Sequence, residues 1–230
     1  MKIHGLQKMT LLDFPGRVAC TVFLGGCDFR CPFCHNYELV DGSAPAIMED
    51  GEFFRFLEKR HGLLDGVAIT GGEPCLRPEL PDFMRRIKEM GFLVKLDTNG
   101  THPDRLRAIL DAGLADYTAM DIKSGPEKYA RTVGLKAVDL EPVRRSVDIL
   151  MNGDWDYEFR TTVVDELHGP EDFEAIAAWI AGAKQYFLQA FTDRDSVPFE
   201  GFHAPSGERM REYLEIVRKT VPNSALRGVD

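Results

Sequence analysis

The chain has 230 residues, with 28 Lys+Arg against 37 Asp+Glu and a formal net charge of −9. Its 44% hydrophobic and 28% charged residues are those of a globular protein and exclude a disordered or fibrous chain. The acidic balance argues against a nucleic-acid partner, which needs basic patches to neutralise phosphates.

Met1–Lys8 lacks the continuous apolar core and small-residue cleavage site of a signal segment. The longest apolar stretch, Val18–Leu24, falls far short of the ~20 residues of a membrane helix. A soluble cytoplasmic protein with no membrane partner and reduced thiols is expected. Val18–Leu24 is also the first of six predicted strands. The others are Gly66–Thr70, Phe92–Asp97, Tyr117–Ile122, Tyr157–Val164 and Gln185–Ala190, rich in Val, Ile, Phe and Thr and closed by turn residues. Helical patterns alternate with them at Glu52–Arg60, Glu79–Met90, Pro103–Ala112, Glu141–Met151, Pro170–Ala183 and Gly207–Thr220. The alternation predicts parallel strands joined by right-handed crossovers, as an open doubly wound sheet or a partial barrel. No linker or repeat marks a second domain. One domain over residues 1–230 is expected, with its core at about 17–190 and a C-terminal helix near 207–220.

Both architectures place ligands at the carboxyl ends of the strands. Those ends carry Gly25–Asn36, Gly71-Gly72-Glu73-Pro74, Asp97-Thr98-Asn99-Gly100 and Met120-Asp121-Ile122-Lys123, with Arg160 inside the fifth strand and Gln189 near the end of the sixth. Polar, glycine-flanked groups at so many strand ends converge on one face and predict a site there. Cys27, Cys31 and Cys34 are the sharpest signal among five cysteines. Three thiolates from one loop fit a 4Fe–4S cluster with one iron left open, whereas structural zinc wants four ligands, usually as two pairs. Free thiols and a zinc knot completed by His35 are the competing readings. Cys20 reads as core packing and Cys75 as an oxidation-prone neighbour of the site.

The spacing Cys27-x₃-Cys31-x₂-Cys34, with Phe33 before the last cysteine, resembles the radical S-adenosylmethionine (SAM) enzymes. The flanking Asp13-Phe14-Pro15-Gly16 and Cys31-Pro32-Phe33-Cys34-His35-Asn36 resemble the glycyl-radical-enzyme activases: the pyruvate formate-lyase activating enzymes and, more closely, the anaerobic ribonucleoside-triphosphate reductase activating proteins. The resemblance implies an α/β fold, a partial (β/α)₆ TIM-like barrel. It also implies a 4Fe–4S cluster on Cys27, Cys31 and Cys34, with SAM on the fourth iron. By the same resemblance Phe33, Gly71, Gly72, Glu73, Asp97, Thr98, Asp121, Lys123 and Arg160 bind cofactor. In the relatives the neighbourhood matching Asp97, Thr98, Asp121 and Lys123 binds SAM and a monovalent cation. Asp13 matches the position that recognises the glycyl-radical loop of the partner protein.

The implied activity is reductive cleavage of SAM to a 5′-deoxyadenosyl radical that removes a hydrogen atom from a partner's glycine. Flavodoxin or ferredoxin is the implied reductant and anaerobic ribonucleotide reductase the expected partner. Phe191 stands where the formate-lyase activases carry a histidine, and no cysteine-rich insertion lies between Asn36 and Gly66. The alternatives are a radical SAM enzyme with a small-molecule or other protein substrate, and a cluster- or zinc-binding module without catalysis.

Overall fold

In the computed structural model residues 1–229 are described. The chain opens with β1 (Lys2–Ile3) and β2 (Gly5–Thr10), then β3 (Ala19–Leu24), α1 (Tyr37–Asp41), β4 (Met48–Glu49), α2 (Asp50–Glu58) and β5 (Gly66–Gly71). It continues through α3 (Leu80–Glu89), β6 (Leu93–Thr98), α4 (Pro103–Asp111), β7 (Tyr117–Asp121), α5 (Tyr129–Thr132) and α6 (Glu141–Met151). β8 (Tyr157–Val163), α7 (Pro170–Trp179), β9 (Tyr186–Ala190), α8 (Gly207–Arg218) and β10 (Ser224–Arg227) complete it.

The main sheet has eight strands in the order β10-β9-β8-β7-β6-β5-β3-β2, and β1 pairs with β4 in a separate two-stranded ribbon. The six expected strands form its contiguous middle, all parallel, with helical crossovers between them. The sheet is extended by β2, antiparallel to β3, and by β10, parallel to β9. Those two edge strands do not pair with each other, so the barrel is partial, as the resemblance implies. Both edges escape sequence pattern for the same reason. β2 exposes Gln7, Lys8 and Met9, and most of the four-residue β10 is only partly buried, so neither carries a long apolar run.

Four crossover helices take proline in the first turn: Pro81, Pro103, Pro142 and Pro170. There the missing N–H would have no helical partner anyway. α8 starts at Ser206, whose hydroxyl accepts from the Arg209 N–H at 3.2 Å. The predicted helix over Pro170–Ala183 stops at Trp179, and Ile180 and Ala183 are buried in the turn that follows.

Alternate residues of each strand point to opposite faces. Cys20, Val22, Leu24, Val67, Ile69, Val94, Leu96 and Phe159 belong to the fully buried apolar core. The other parity is largely polar. Lys95, Asp97, Asp121 and Arg160 pair among themselves, and Glu158 pairs with Arg227 and Tyr117, all on the concave face. Lys95 and Glu158 are 2% and 1% exposed. The core therefore lies outside the barrel, between sheet and helices, and the interior is a lined polar chamber that opens at the carboxyl ends of the strands.

Candidate functional site

The cysteine loop between β3 and α1 is tied down from several directions. Gly26 N–H donates to Leu39 O at 2.8 Å, and Arg30 N–H donates to Val133 O at 2.8 Å. The turn after β5 completes the frame: Gly72 N–H donates to Leu24 O at 2.9 Å and Glu73 N–H to Gly26 O at 2.8 Å. Only glycine permits this approach. A Cβ on Gly72 would lie 2.0 Å from Gly26 O and 3.4 Å from Cys27 Cβ, and Gly71 has φ +119° with Leu24 O 2.3 Å from the corresponding point.

On its far side the loop is clasped by the end of β9. The His35 ring stacks on Phe191 (5.4 Å between centroids, 15° between planes), and Phe33 meets the same ring edge-on at 6.4 Å. His35 Nε2 lies 2.6 Å from Thr192 O. Phe191 thus bridges the loops that follow the first and last of the six central strands.

Cys27, Cys31 and Cys34 line one cavity of about 230 Å³ together with Phe33, Gly71, Gly72, Asp97, Thr98, Asp121, Lys123 and Arg160. Burial pushes the Cys27 thiol up to about 11 and Cys31 to about 12, and raises Cys34, while the Lys123 ammonium pulls all three the other way. Cys27 Sγ also accepts from Phe29 N–H at 3.4 Å and from Asn99 Nδ2 at 3.7 Å. Among the described residues no three His, Cys, Asp or Glu side chains close on a single ion-sized position. Cys20 and Cys75 are fully buried and do not line the cavity. Three thiols spread around a space larger than one ion, with no fourth in reach, fit a 4Fe–4S cluster with an open iron better than a closed zinc site.

Asp97 and Asp121 form the opposite wall. Arg160 Nε donates to Asp121 Oδ1 at 2.9 Å, and its guanidinium lies 3.5 Å from Asp97 Oδ2. Lys123 Nζ donates to Asp121 Oδ2 at 2.9 Å, and Lys95 Nζ pairs with Asp97 Oδ1. Burial alone would raise both carboxyls; the Arg160 charge, aided by Lys95 at Asp97 and Lys123 at Asp121, outweighs it and holds both below the usual carboxylate range. A chain of alternating charges therefore runs across β6, β7 and β8, with one positive charge in surplus.

Two of the expected site residues lie outside the cavity lining. Glu73 does not line the cavity: it is fully buried, and its carboxylate accepts from Cys75 N–H at 2.9 Å, Thr98 Oγ1 at 2.8 Å and Asn99 N–H at 2.7 Å. It braces the ends of β5 and β6 from beneath. Asp13, expected to recognise the partner's loop rather than the cofactors, also lies outside the lining; its Oδ2 accepts from Thr21 Oγ1 at 2.5 Å in the first half of β3. Met120 is buried beneath Gly100 and does not reach the cavity.

The structure adds Thr162, which sequence reasoning passed over, and gives a place to three strand-end or loop residues that it had assigned no role. Asn36, Asn99, Thr162 and Gln189 join the lining. Asn36 Nδ2 donates to Gly71 O at 3.2 Å. Thr162 and Gln189 follow Arg160 by strand parity and register, a signal available once Arg160 is placed on the concave face. His168 lies outside the cavity but fixes it. Its Nδ1 accepts from Val164 N–H at 3.0 Å, so its Nε2–H donates to Lys123 O at 2.8 Å, and burial lowers its pKa.

Residues 21–180 match the family described as the radical SAM superfamily. The chain is similar to a Methanocaldococcus jannaschii protein provisionally named a glycyl-radical enzyme activating enzyme, 29% identical over 99% of this chain and 96% of that one. It is 32% identical to the pyruvate formate-lyase-activating enzyme of Clostridium pasteurianum over 53% of this chain and 52% of the relative. A domain of pyruvate-formate lyase-activating enzyme from Bacteroides vulgatus superimposes with a TM-score of 0.57 at 19% identity, covering 71% of this chain and 99% of that domain, and so shares the fold. Matched through most of its length and built on that fold, the chain belongs to the radical SAM superfamily, whose enzymes work with a 4Fe–4S cluster and SAM.

Proposed function

We propose that the chain is an activase that installs a glycyl radical on a partner enzyme, anaerobic ribonucleoside-triphosphate reductase, with a flavodoxin or ferredoxin as electron donor. The observation that carries this reading is the similarity to an activating-enzyme relative from one end of the chain to the other. When bound, the cluster and SAM supply one-electron cleavage of the sulfonium and with it the hydrogen-abstracting radical.

The chain's own residues hold and orient. Cys27, Cys31 and Cys34, which line one cavity, would hold the cluster, and the surplus positive charge of the Lys95–Asp97–Arg160–Asp121–Lys123 chain suits a ligand carboxylate. Gly71 and Gly72 leave backbone open toward the same space. Phe29, Phe33 and Val40 supply the apolar part of the lining, which keeps water from a reactive intermediate. Removing a hydrogen atom needs no general base, and the ion pairs leave Asp97 and Asp121 ionised but engaged.

The test is anaerobic reconstitution with iron and sulfide, followed by dithionite, SAM and the reductase. The expected result is a glycyl-radical doublet in the electron paramagnetic resonance spectrum of the partner, with 5′-deoxyadenosine formed and a Cys31→Ala control inactive. Cleavage of SAM with no doublet on the reductase would overturn this assignment and favour a different substrate.

A further inference from the structure

The resemblance to the activases brings with it a monovalent cation near Asp97, Thr98 and Asp121, and the structure disagrees with it. Each of the four carboxylate oxygens already has a fixed cationic partner. Asp121 Oδ1 takes Arg160 Nε and Asp121 Oδ2 takes Lys123 Nζ, both at 2.9 Å; Asp97 Oδ2 faces Arg160 at 3.5 Å and Asp97 Oδ1 takes Lys95 Nζ. The neighbouring neutral oxygen is engaged as well. Thr98 Oγ1 donates to Glu73 Oε1 at 2.8 Å and accepts from Gly100 N–H at 3.1 Å.

Lys95 is the decisive residue: it does not itself line the cavity but sits behind Asp97, which does, and neutralises it from there. Its ammonium is brought in from the concave face of β6 and is 2% exposed, so water cannot replace its partner. Three cations against two carboxylates leave the cluster of charges net positive, and a further metal cation would be repelled where an anion is attracted. An alkali ion binds where oxygen ligands are free and the local charge is negative. Neither condition holds among these side chains.

We propose that the Lys95 ammonium stands in for the alkali cation and that the chain binds SAM without one. The inference rests on the radical SAM cofactor and on this wall of the cavity; it is independent of which partner the enzyme activates.

The test measures SAM affinity of the reconstituted holoenzyme by equilibrium dialysis, in buffer whose only added salt is choline chloride and again with sodium or potassium chloride at the same ionic strength. The dissociation constant is expected to agree within about twofold across the three salts, whereas an ion acting as a ligand shifts it about tenfold or more through linkage. A shift of that size toward tighter binding in sodium or potassium overturns the proposal. Lys95→Met supplies the second arm. It is expected to bind SAM weakly in choline and to recover on addition of sodium or potassium. A Lys95→Met protein that binds SAM in choline as tightly as wild type overturns the role of Lys95. If that variant fails to fold, the wild-type comparison decides alone.

Discussion

Replacing Glu73 tests whether it holds the site together or touches the ligand. Glu73→Ala strands two backbone donors, Cys75 N–H and Asn99 N–H, and the Thr98 hydroxyl, all now bonded at 2.7–2.9 Å. An unsatisfied buried donor costs about 1–3 kcal/mol, and the hydroxyl can turn to another acceptor, so the two amides dominate. Against this stands relief of a buried carboxylate whose pKa is raised, burial outweighing its hydrogen bonds. A net loss of about 3 kcal/mol is expected, a large share of the roughly 5–15 kcal/mol of a typical domain. Glu73→Gln keeps one acceptor and the shape and is expected to lose about 1 kcal/mol.

The pH dependence separates the two variants further. A carboxyl with a raised folded-state pKa contributes stability that is complete below its unfolded value of 4.5 and is lost as pH rises through the folded value. The gap between wild type and Glu73→Gln should therefore narrow as pH rises from 4.5. Urea unfolding under anaerobic conditions across that range is the assay, with SAM affinity measured alongside. The reasoning is refuted if Glu73→Ala unfolds within about 0.5 kcal/mol of wild type, below the span of any lost buried hydrogen bond. It is refuted equally if Glu73→Gln keeps full stability yet loses SAM binding, since the carboxylate would then be a ligand contact.

Gly72→Ala sets a methyl group 2.0 Å from a backbone oxygen, so the β5 turn and the Cys27 loop must separate; iron and sulfide per chain after reconstitution should fall while the circular dichroism spectrum is kept. Phe191→Ala removes two aromatic pairs, each worth about 1 kcal/mol, and should speed iron loss to a chelator about tenfold or more. Arg227→Met leaves Glu158, 1% exposed, without the cation that meets both its oxygens at 2.7 and 2.8 Å. With Arg227 itself a third exposed, a loss of about 2 kcal/mol is expected by urea unfolding. Burial lowers the His168 pKa, so its contribution is complete above 6.5 and lost as pH falls toward the folded value. His168→Gln should flatten the stability profile just below pH 6.5, and an unchanged slope there would remove His168 as its source.

The parallel strands were legible because each is an apolar run closed by turn residues, and the cysteine spacing drew attention to a loop that lines the cavity. What escaped was the sidedness of the strands. Val94 and Leu96 announce burial, but nothing in the pattern says that Lys95 between them is buried too, or that Asp97 after them is mostly so, because a barrel interior hides charge that an open sheet would show to water. The role of Glu73 is ambiguous in the sequence for a related reason. Its neighbours Gly71 and Gly72 face the cavity, yet a buried carboxylate can serve equally as acceptor for its own turn, and only the positions of the Thr98 and Asn99 donors distinguish the two. The Phe191 clasp joins residues more than 150 positions from His35, beyond any local signal.

That clasp also orders events in time. The three thiols are synthesised before the groups that wall them in, which come from Gly72, Asn99, Val133 and finally Phe191 and Thr192. A nascent chain short of β9 presents the cysteines on a loop held by few of its eventual contacts. A durably held cluster is therefore expected only once β9 is in place, and chains truncated before residue 191 should take up iron only in a loosely held form.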